Sequence, residues 1–292
     1  NTDGIKTEKG LWYDIRQNLK KNLFTDRDNA SQHIKSLVEK GSLERTVSAV
    51  PVCVLLSGGV DSSVISLAAL KNIPNLISYI AVHNEKSKDL HCAREVAEML
   101  NIELVEVKVE PPTVNDVKDI INTIEMSYKA QVEIAWPCIK LAQKIASDGF
   151  KVVLSGEGSD ELWGSYGMSY HGIQEHGYEE YRLRLFGSQG RKNFARCNKI
   201  FMRYGVECRL PFLNTELVET ALGMEQDIVW NTKSRPKAVL QDSYVNLLPE
   251  QITKRPKMAF QDGMGIKKEF EKILDKNPKV YYNEVYNKTF GV

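Results

Sequence analysis

Residues 52–63 have the sequence VCVLLSGGVDSS, in which an apolar run ends at two glycines and a polar stretch follows. Pro51 and Gly58 bound the apolar residues, and such a short run is typical of a strand that is buried on both faces. A helix is predicted from about Val60 to Lys71. The polar residues therefore lie between the carboxyl end of a strand and the start of a helix, where parallel sheets bind their ligands.

The alternation of strand and helix continues along the chain. Further strands are predicted at 76–82, 103–107 and 151–154, and helices at 89–100, 113–127 and 135–148. This order is typical of an α/β fold, an open parallel sheet flanked by helices on both faces.

The residues on either side of this core have helical patterns. Helix is expected at 11–49, and no strand is expected after Glu161, where helices are predicted at 178–186, 191–204, 214–223, 236–247 and 266–275. We therefore expect three parts: an N-terminal helical segment at 1–50, an α/β core at 51–165, and a helical part at 166–292 that completes the active site.

The first motif combines Ser57, Gly58, Gly59, Asp61 and Ser62. Two glycines let the backbone approach a phosphate, and the start of a helix favours an anion. Asp61 is itself anionic, so it suits a magnesium ion that bridges it to phosphate. The structural alternative is a Gly-Gly turn in which Asp61 is favoured by the helix dipole. The Gly-x-x-x-x-Gly-Lys-Ser/Thr pattern of kinases and GTPases is absent here.

The second motif, residues 155–164, has the sequence SGEGSDELWG and follows the fourth predicted strand. Glu157 lies between glycines, which suits a residue that faces a ligand. The carboxylates of Glu157, Asp160 and Glu161 repel one another unless a metal, a substrate cation or a proton intervenes. This cost indicates a functional site, with Asp160 as a metal ligand. The alternative is a capped helix start, and for Glu161 both interpretations stay open.

Charge and composition exclude several classes of protein. The 292 residues carry a formal net charge of +1, so no basic surplus indicates nucleic acid. The five cysteines form no Cys-x-x-Cys pair, which argues against structural zinc or a disulfide framework. No apolar run approaches the roughly 20 residues that span a bilayer. The polar start of the chain is unlike a signal peptide. We expect a cytoplasmic protein without nucleic-acid or membrane partners.

The two motifs together carry a family resemblance. The first resembles the pyrophosphate-binding loop of PP-loop ATP pyrophosphatases, whose fold is adenine nucleotide α-hydrolase-like. With the second, the chain resembles the synthetase domain of the asparagine synthetase family, which includes β-lactam synthetase. The resemblance runs from about Ile34 to the end and includes residues 195–199 (ARCNK), 204–214 (YGVECRLPFLN) and 255–265 (RPKMAFQDGMG).

The resemblance implies ATP and Mg²⁺ as cofactors. It implies that Asp61 and Asp160 hold the metal, that Lys257 offsets charge on the α-phosphate, and that Glu157 acts on the attacking nitrogen. The implied nucleotide-binding residues are Ser57, Gly58, Gly59, Asp61, Ser62, Val82, Ser155, Gly156 and Lys237. For Lys237 the alternative is a surface lysine at a helix start. Arg209 is expected to pair with a substrate or with a structural carboxylate.

The implied activity is that of an AMP- and pyrophosphate-forming amide synthetase, a carbon–nitrogen ligase that takes a carboxylic acid and ammonia or an amine. Aspartate is the first choice of acid. The alternatives are a tailoring amide synthetase or cyclase, an RNA- or nucleotide-modifying PP-loop enzyme, and a non-catalytic ATP-binding subunit paired with a glutaminase.

Two departures from the family bear on this activity. Asn214 stands where family members commonly have Asp. No cysteine precedes Cys53, so the N-terminal glutaminase domain is absent from this sequence. The nitrogen is then free ammonia, another amine, or ammonia from a separate subunit or from a domain that was cut off.

Overall fold

A parallel five-stranded sheet forms the centre of the fold. The computed structural model describes residues 10, 12–167, 169–232, 235–254, 265–274 and 276–291. The strands are β1 (Val52–Leu55), β2 (Ile77–Val82), β3 (Glu103–Lys108), β4 (Val152–Leu154) and β5 (Glu207–Arg209), in the order β3-β2-β1-β4-β5. This sheet confirms the predicted open parallel α/β fold.

The fifth strand corrects the expectation that no strand follows Glu161. β5 has three residues and pairs in parallel with β4, where Leu154 is opposite Arg209. Within the described part of the chain, β5 is an edge strand that pairs with β4 alone, and its sequence, Glu-Cys-Arg, is not an apolar run. It therefore lacks the continuous apolar pattern by which the buried strands were predicted. Its formation depends on pairing with β4.

Helices flank the sheet and continue into the second half of the chain. They are α1 (Ile15–Asn18), α2 (Arg27–Thr46), α3 (Val60–Ala69), α4 (Lys88–Leu100), α5 (Val114–Ile124), α6 (Lys129–Ser147), α7 (Ser159–Trp163), α8 (Ser169–His176), α9 (Tyr178–Ser188), α10 (Asn193–Arg203), α11 (Thr215–Gly223), α12 (Gln226–Val229), α13 (Ala238–Asp242), α14 (Glu250–Thr253), α15 (Lys267–Ile273) and α16 (Pro278–Phe290). The helix expected at 11–49 is interrupted before α2, which Asp26 caps by accepting a bond from Asn29 N at 2.8 Å.

The sheet separates two apolar cores. Val52 and Val54 of β1 face one core, which includes α2, α3, α4 and α11, whereas Cys53 faces the other, which includes α5, α6, α10 and α16. Successive strand residues point to opposite faces, so an unbroken apolar strand supplies both cores. Helices from the second half of the chain pack into both cores. The three-part division stays a prediction.

Glu133 is a buried carboxylate in the second core. It lies on α6 with its side chain 2% exposed and Oε1 3.6 Å from Lys129 Nζ. That oxygen accepts no hydrogen bond from the described part of the chain. Burial raises the pKa of Glu133 to about 7, and the opposing attraction of Lys129 is smaller.

We expect the stability of the chain to fall as the pH rises from about 4.5 to 7, because Glu133 keeps its proton in the folded state after the unfolded chain has released it. Glu133→Gln removes this contribution, which corresponds to about 3 kcal/mol. Urea unfolding across this pH range measures it. The control is Glu271→Gln, because the hydrogen bond from Lys129 lowers the pKa of that exposed glutamate and its effect has the opposite sign. An unchanged pH slope in Glu133→Gln would contradict the assignment.

Within the described residues, no helix has the length and apolar character that crossing a membrane requires.

Candidate functional site

The first motif forms a tight loop between β1 and α3. Gly58 has φ +71°, and a Cβ on it would lie 2.4 Å from Asp89 O and 2.7 Å from Ala93 N. Both the dihedral angle and the space therefore require glycine. Gly59 is the N-cap of α3 without a side chain to cap it. The loop thus places bare backbone at the carboxyl end of the central strand.

Serine hydroxyls line this loop. Ser57 N donates to Ser62 Oγ at 3.0 Å, and the Oγ atoms of Ser57 and Ser62 are 3.1 Å apart. Ser62 and Ser63 also donate to the carbonyl of Gly59, at 3.2 Å and 2.8 Å. These hydroxyls bond within the loop, and because a hydroxyl rotates, each can also donate to an anion that binds there.

The second motif packs directly against the first. It follows β4, the neighbour of β1, and a Cβ on Gly156 would lie 3.1 Å from Asp61 Cβ and 3.3 Å from Ser62 N. Gly158 has φ +99° and is the N-cap of α7. Ser155 N bonds to Arg209 O at 3.0 Å, which ties the motif to β5. The structure therefore brings the two motifs into contact at one edge of the sheet.

Asp61 and Asp160 converge on one cation, the ammonium of Lys237. Lys237 Nζ lies 2.5 Å from Asp61 Oδ2 and 2.6 Å from Asp160 Oδ1. Lys237 is 4% exposed, so the alternative of a surface lysine is wrong. Ser159 donates to Asp61 at 2.6 Å and Ser165 to Asp160 at 2.5 Å. These hydroxyls fix both carboxylates, and the lysine neutralises their repulsion.

The Asp61–Asp160 pair suits a magnesium ion that also binds phosphate. The described residues contain no cluster of three or more His, Cys, Asp or Glu side chains that could hold a metal. Magnesium is usually bound by one or two carboxylates together with substrate phosphates and water. Two carboxylates that already share one cation meet that description. The metal role of Asp61 and Asp160 stays a prediction.

Glu157 pairs with a buried arginine. Arg196 Nη2 donates to Glu157 Oε1, and Arg196 Nη1 donates to Gln131 Oε1 at 2.5 Å and to Asn193 Oδ1 at 3.1 Å. Arg196 is 2% exposed, whereas 27% of the Glu157 side chain is exposed. The guanidinium therefore holds the Glu157 carboxylate in place from the protein side and leaves part of it free for a ligand.

Glu161 supports this network from behind. It is fully buried, and its Oε1 accepts from Tyr166 at 2.6 Å and from Asn193 at 2.7 Å. Burial, together with the neighbouring carboxylates of Glu157 and Asp160, raises the pKa of Glu161 to about 7. Asn193 also accepts a hydrogen bond from Arg196, which in turn binds Glu157. Glu161 therefore helps to position Glu157 through Asn193 and Arg196.

Arg196 is the site residue that the sequence patterns missed. It lies on the buried face of α10 with Cys197, Ile200 and Phe201. Its sequence signal is that Arg196 lies four residues before Ile200, on the apolar face of the helix. A charged side chain on a buried face requires a partner of opposite charge, so this position could have been predicted to lie beside an acidic residue.

Other predicted residues have varied placements. Val82 ends β2, beside β1, and its carbonyl accepts from Val109 N at 2.8 Å. Arg209 pairs with Glu207 at 3.0 Å, the structural alternative. Asn214 caps α11 through Leu217 N and donates to Glu44 at 2.8 Å, a bond that an aspartate could not make. Lys257 lies in residues 255–264, which are outside the described residues.

The fold and site define a parallel α/β protein with a glycine- and serine-rich loop and an acidic pair at the carboxyl edge of its sheet. The asparagine synthase family matches residues 33–192 and 174–279. The chain belongs to that family.

Known proteins agree with this assignment. The chain is 31% identical over 270 residues to asparagine synthetase B [glutamine-hydrolyzing] of Escherichia coli (87% of this chain, 48% of the relative). It is 30% identical over 255 residues to asparagine synthetase [glutamine-hydrolyzing] 3 of Arabidopsis thaliana (80% of this chain, 43% of the relative). The chain thus spans less than half the length of these relatives.

A solved structure, the NMN synthetase of Francisella tularensis, is similar with a TM-score of 0.42 and 15% identity over 92% of this chain and 96% of that one. That likeness adds nothing to the family assignment, which rests on the sequence matches.

Proposed function

We propose that the chain is an ATP-dependent amide synthetase that adenylylates a carboxylic acid, releases pyrophosphate and transfers the acyl group to ammonia or an amine. The observation that carries this proposal is the contact between the serine-lined loop and the Asp61–Lys237–Asp160 cluster, with Glu157 on the same short segment as Asp160. The residues proposed for phosphate binding, for charge neutralisation and for proton transfer thus lie at one edge of the sheet.

The first half-reaction brings two anions together, since a carboxylate attacks the α-phosphate of ATP. Cations must offset that repulsion before the chemistry begins. Lys237 is such a cation, and Ser57, Gly58, Gly59 and Ser62 suit the leaving pyrophosphate. Asp61 and Asp160 would hold Mg²⁺, which supplies further positive charge when bound. By resemblance, Lys257 would act on the α-phosphate.

In the second half-reaction, a neutral nitrogen attacks the acyl-adenylate and must lose a proton as the amide forms. Glu157 is the proposed acceptor of that proton. Two observations support this role. The side chain of Glu157 is partly exposed, so a ligand can reach it, and its bond to Arg196 fixes the orientation of the carboxylate. Val82, Ser155 and Gly156 are proposed to border the nucleotide.

Aspartate is the proposed acid, with ammonia as the nitrogen donor. The relatives are named as glutamine-hydrolyzing asparagine synthetases, which supports this choice for the part of those proteins that the chain matches. A separate glutaminase domain or subunit is the proposed source of ammonia, and the cytoplasm the proposed location. Another acid, used by a tailoring amide synthetase, is the alternative.

The test is acid-dependent pyrophosphate release with Mg-ATP, ammonium and a panel of carboxylic acids led by aspartate. We expect release with aspartate, and a decrease of about 10²-fold or more in Asp61→Asn. Asp28→Asn is the matched control, because Asp28 is an exposed acid in the first turn of α2, as Asp61 is in the first turn of α3. Equal losses in both variants would indicate a helix-dipole role alone.

Pyrophosphate release with a different acid, and not with aspartate, would support the proposed reaction but would show that aspartate is not the substrate. No release with any acid, while ATP still binds, would contradict catalysis by this chain.

A further inference from the structure

Two thiols outside the proposed reaction centre lie almost within bonding distance. Cys197 on α10 and Cys208 on β5 have their Sγ atoms 2.9 Å apart, although 11 positions separate them in the sequence. A disulfide bond measures about 2.05 Å. Both cysteines are free thiols in this structure. A movement of less than about 1 Å would therefore bring the two sulfur atoms to bonding distance.

A cleft gives small molecules access to this pair. This open cleft has a volume of about 720 Å³, and both cysteines line it together with Asn198, Glu44 and Arg45. Cys208 is half-buried and Cys197 is buried. A reagent that enters the cleft therefore reaches Cys208 first, and the polar side chains around it suit a small charged molecule.

We propose that Cys197 and Cys208 form a dithiol modification site, which a low-molecular-weight disulfide of the glutathione type oxidises to an intramolecular disulfide. The Cys208 thiolate attacks one sulfur of the small disulfide, forms a mixed disulfide and releases one small thiolate. Cys197 then loses its proton and attacks Cys208 Sγ, which releases the second small thiol. Two protein thiols and one small disulfide thus give one protein disulfide and two small thiols.

The order of attack agrees with the surroundings of each thiol. The hydrogen bond with Cys208 and burial raise the pKa of Cys197, so Cys197 is the poorer first nucleophile. Once Cys208 is in a mixed disulfide, Cys197 is the thiol that lies beside the reactive sulfur. Cys138 is a competing partner, since it is near enough to influence the pKa of Cys197, and a linkage through Cys138 is the alternative that the experiment has to exclude.

The effect on activity rests on the proposed function. Cys197 directly follows Arg196, which holds Glu157, and Cys208 precedes Arg209, whose carbonyl accepts from Ser155 N at 3.0 Å. We expect closure of this gap to draw α10 towards β5 and so to shift Arg196 relative to the Glu157 segment. We expect amide formation by the oxidised chain to be slower by roughly tenfold or more, since a small misplacement of reacting groups is costly.

The experiment treats the chain with oxidised glutathione and maps its peptides without reduction. We expect one peptide pair linked through Cys197 and Cys208, the loss of two of the five free thiols, and full recovery with dithiothreitol. Cys208→Ser should lose this linkage, whereas Cys92→Ser, on the half-buried Cys92 of α4, should keep it. Amide formation is measured on the same samples.

A mixed disulfide that never resolves, or a linkage through Cys138, would overturn the proposal. These outcomes are read from the wild-type chain, so they hold even if a variant fails to fold. If the reduced chain makes no amide at all, the proposed function fails and the peptide map still decides the dithiol site. A linked chain with undiminished amide formation would overturn the effect on activity.

Discussion

Lys237→Met is expected to reduce acid-dependent pyrophosphate release by about 10²–10³-fold, the effect of removing one preorganised charge from a site of this kind. The ammonium of Lys237 bridges Asp61 and Asp160 at 2.5 Å and 2.6 Å. Methionine keeps much of the length of the side chain but removes this charge. The two carboxylates would then repel each other, and the phosphates would lose the fixed positive charge that Lys237 supplies beside them.

The same variant tests whether the acidic pair can hold a metal. Without the ammonium, the two carboxylates would attract Mg²⁺ more strongly, so we expect Mg²⁺ to raise the melting temperature of Lys237→Met more than that of the wild type. Lys254→Met is the control, because Lys254 is an exposed lysine paired with Glu250 in the same half of the chain. A Lys237→Met variant that keeps its activity, and whose melting temperature does not change with Mg²⁺, would contradict both the catalytic role of Lys237 and metal binding by the acidic pair.

Arg182→Met is expected to have the largest effect on stability. Arg182 on α9 is fully buried and donates to four backbone carbonyls, those of Leu162 at 3.0 Å, Ala221 at 2.6 Å, Leu222 at 3.1 Å and Met224 at 2.7 Å. Its guanidinium also lies 3.9 Å from the centre of the Tyr178 ring. Each unsatisfied buried acceptor costs about 1–3 kcal/mol, so the variant should lose at least about 4 kcal/mol of unfolding free energy.

Urea unfolding measures this loss, with Arg184→Met as the control on the same helix. Arg184 is exposed and pairs with Glu180 at 2.7 Å, and such surface pairs contribute about 0–1 kcal/mol. Arg182→Lys keeps the charge with fewer donors and should lie between the wild type and Arg182→Met. A loss in Arg182→Met no greater than that in Arg184→Met would show that the four carbonyls find other partners.

The first four strands could be predicted because each is an apolar run bounded by turn residues. The observed bounds of β1 to β4 differ from the predicted ones by a residue or less at each end. Helix ends were less certain: α6 begins at Lys129 and continues through Pro137, although a helix start near that proline was expected. Pro137 is buried inside this helix, although an interior proline removes one backbone hydrogen bond.

By itself, the sequence determined the parallel sheet and the two motifs at its carboxyl edge. Such features follow from local patterns, since apolar runs make buried strands and glycines mark tight loops. It did not determine that Lys237 would lie between Asp61 and Asp160, because 176 positions separate Lys237 from Asp61. Nor did the sequence determine that Arg196 would bind Glu157, or that residues 207–209 would form the strand β5. These contacts exist only when the folded chain buries charges together, and a buried charge is stable where tertiary structure supplies its partner.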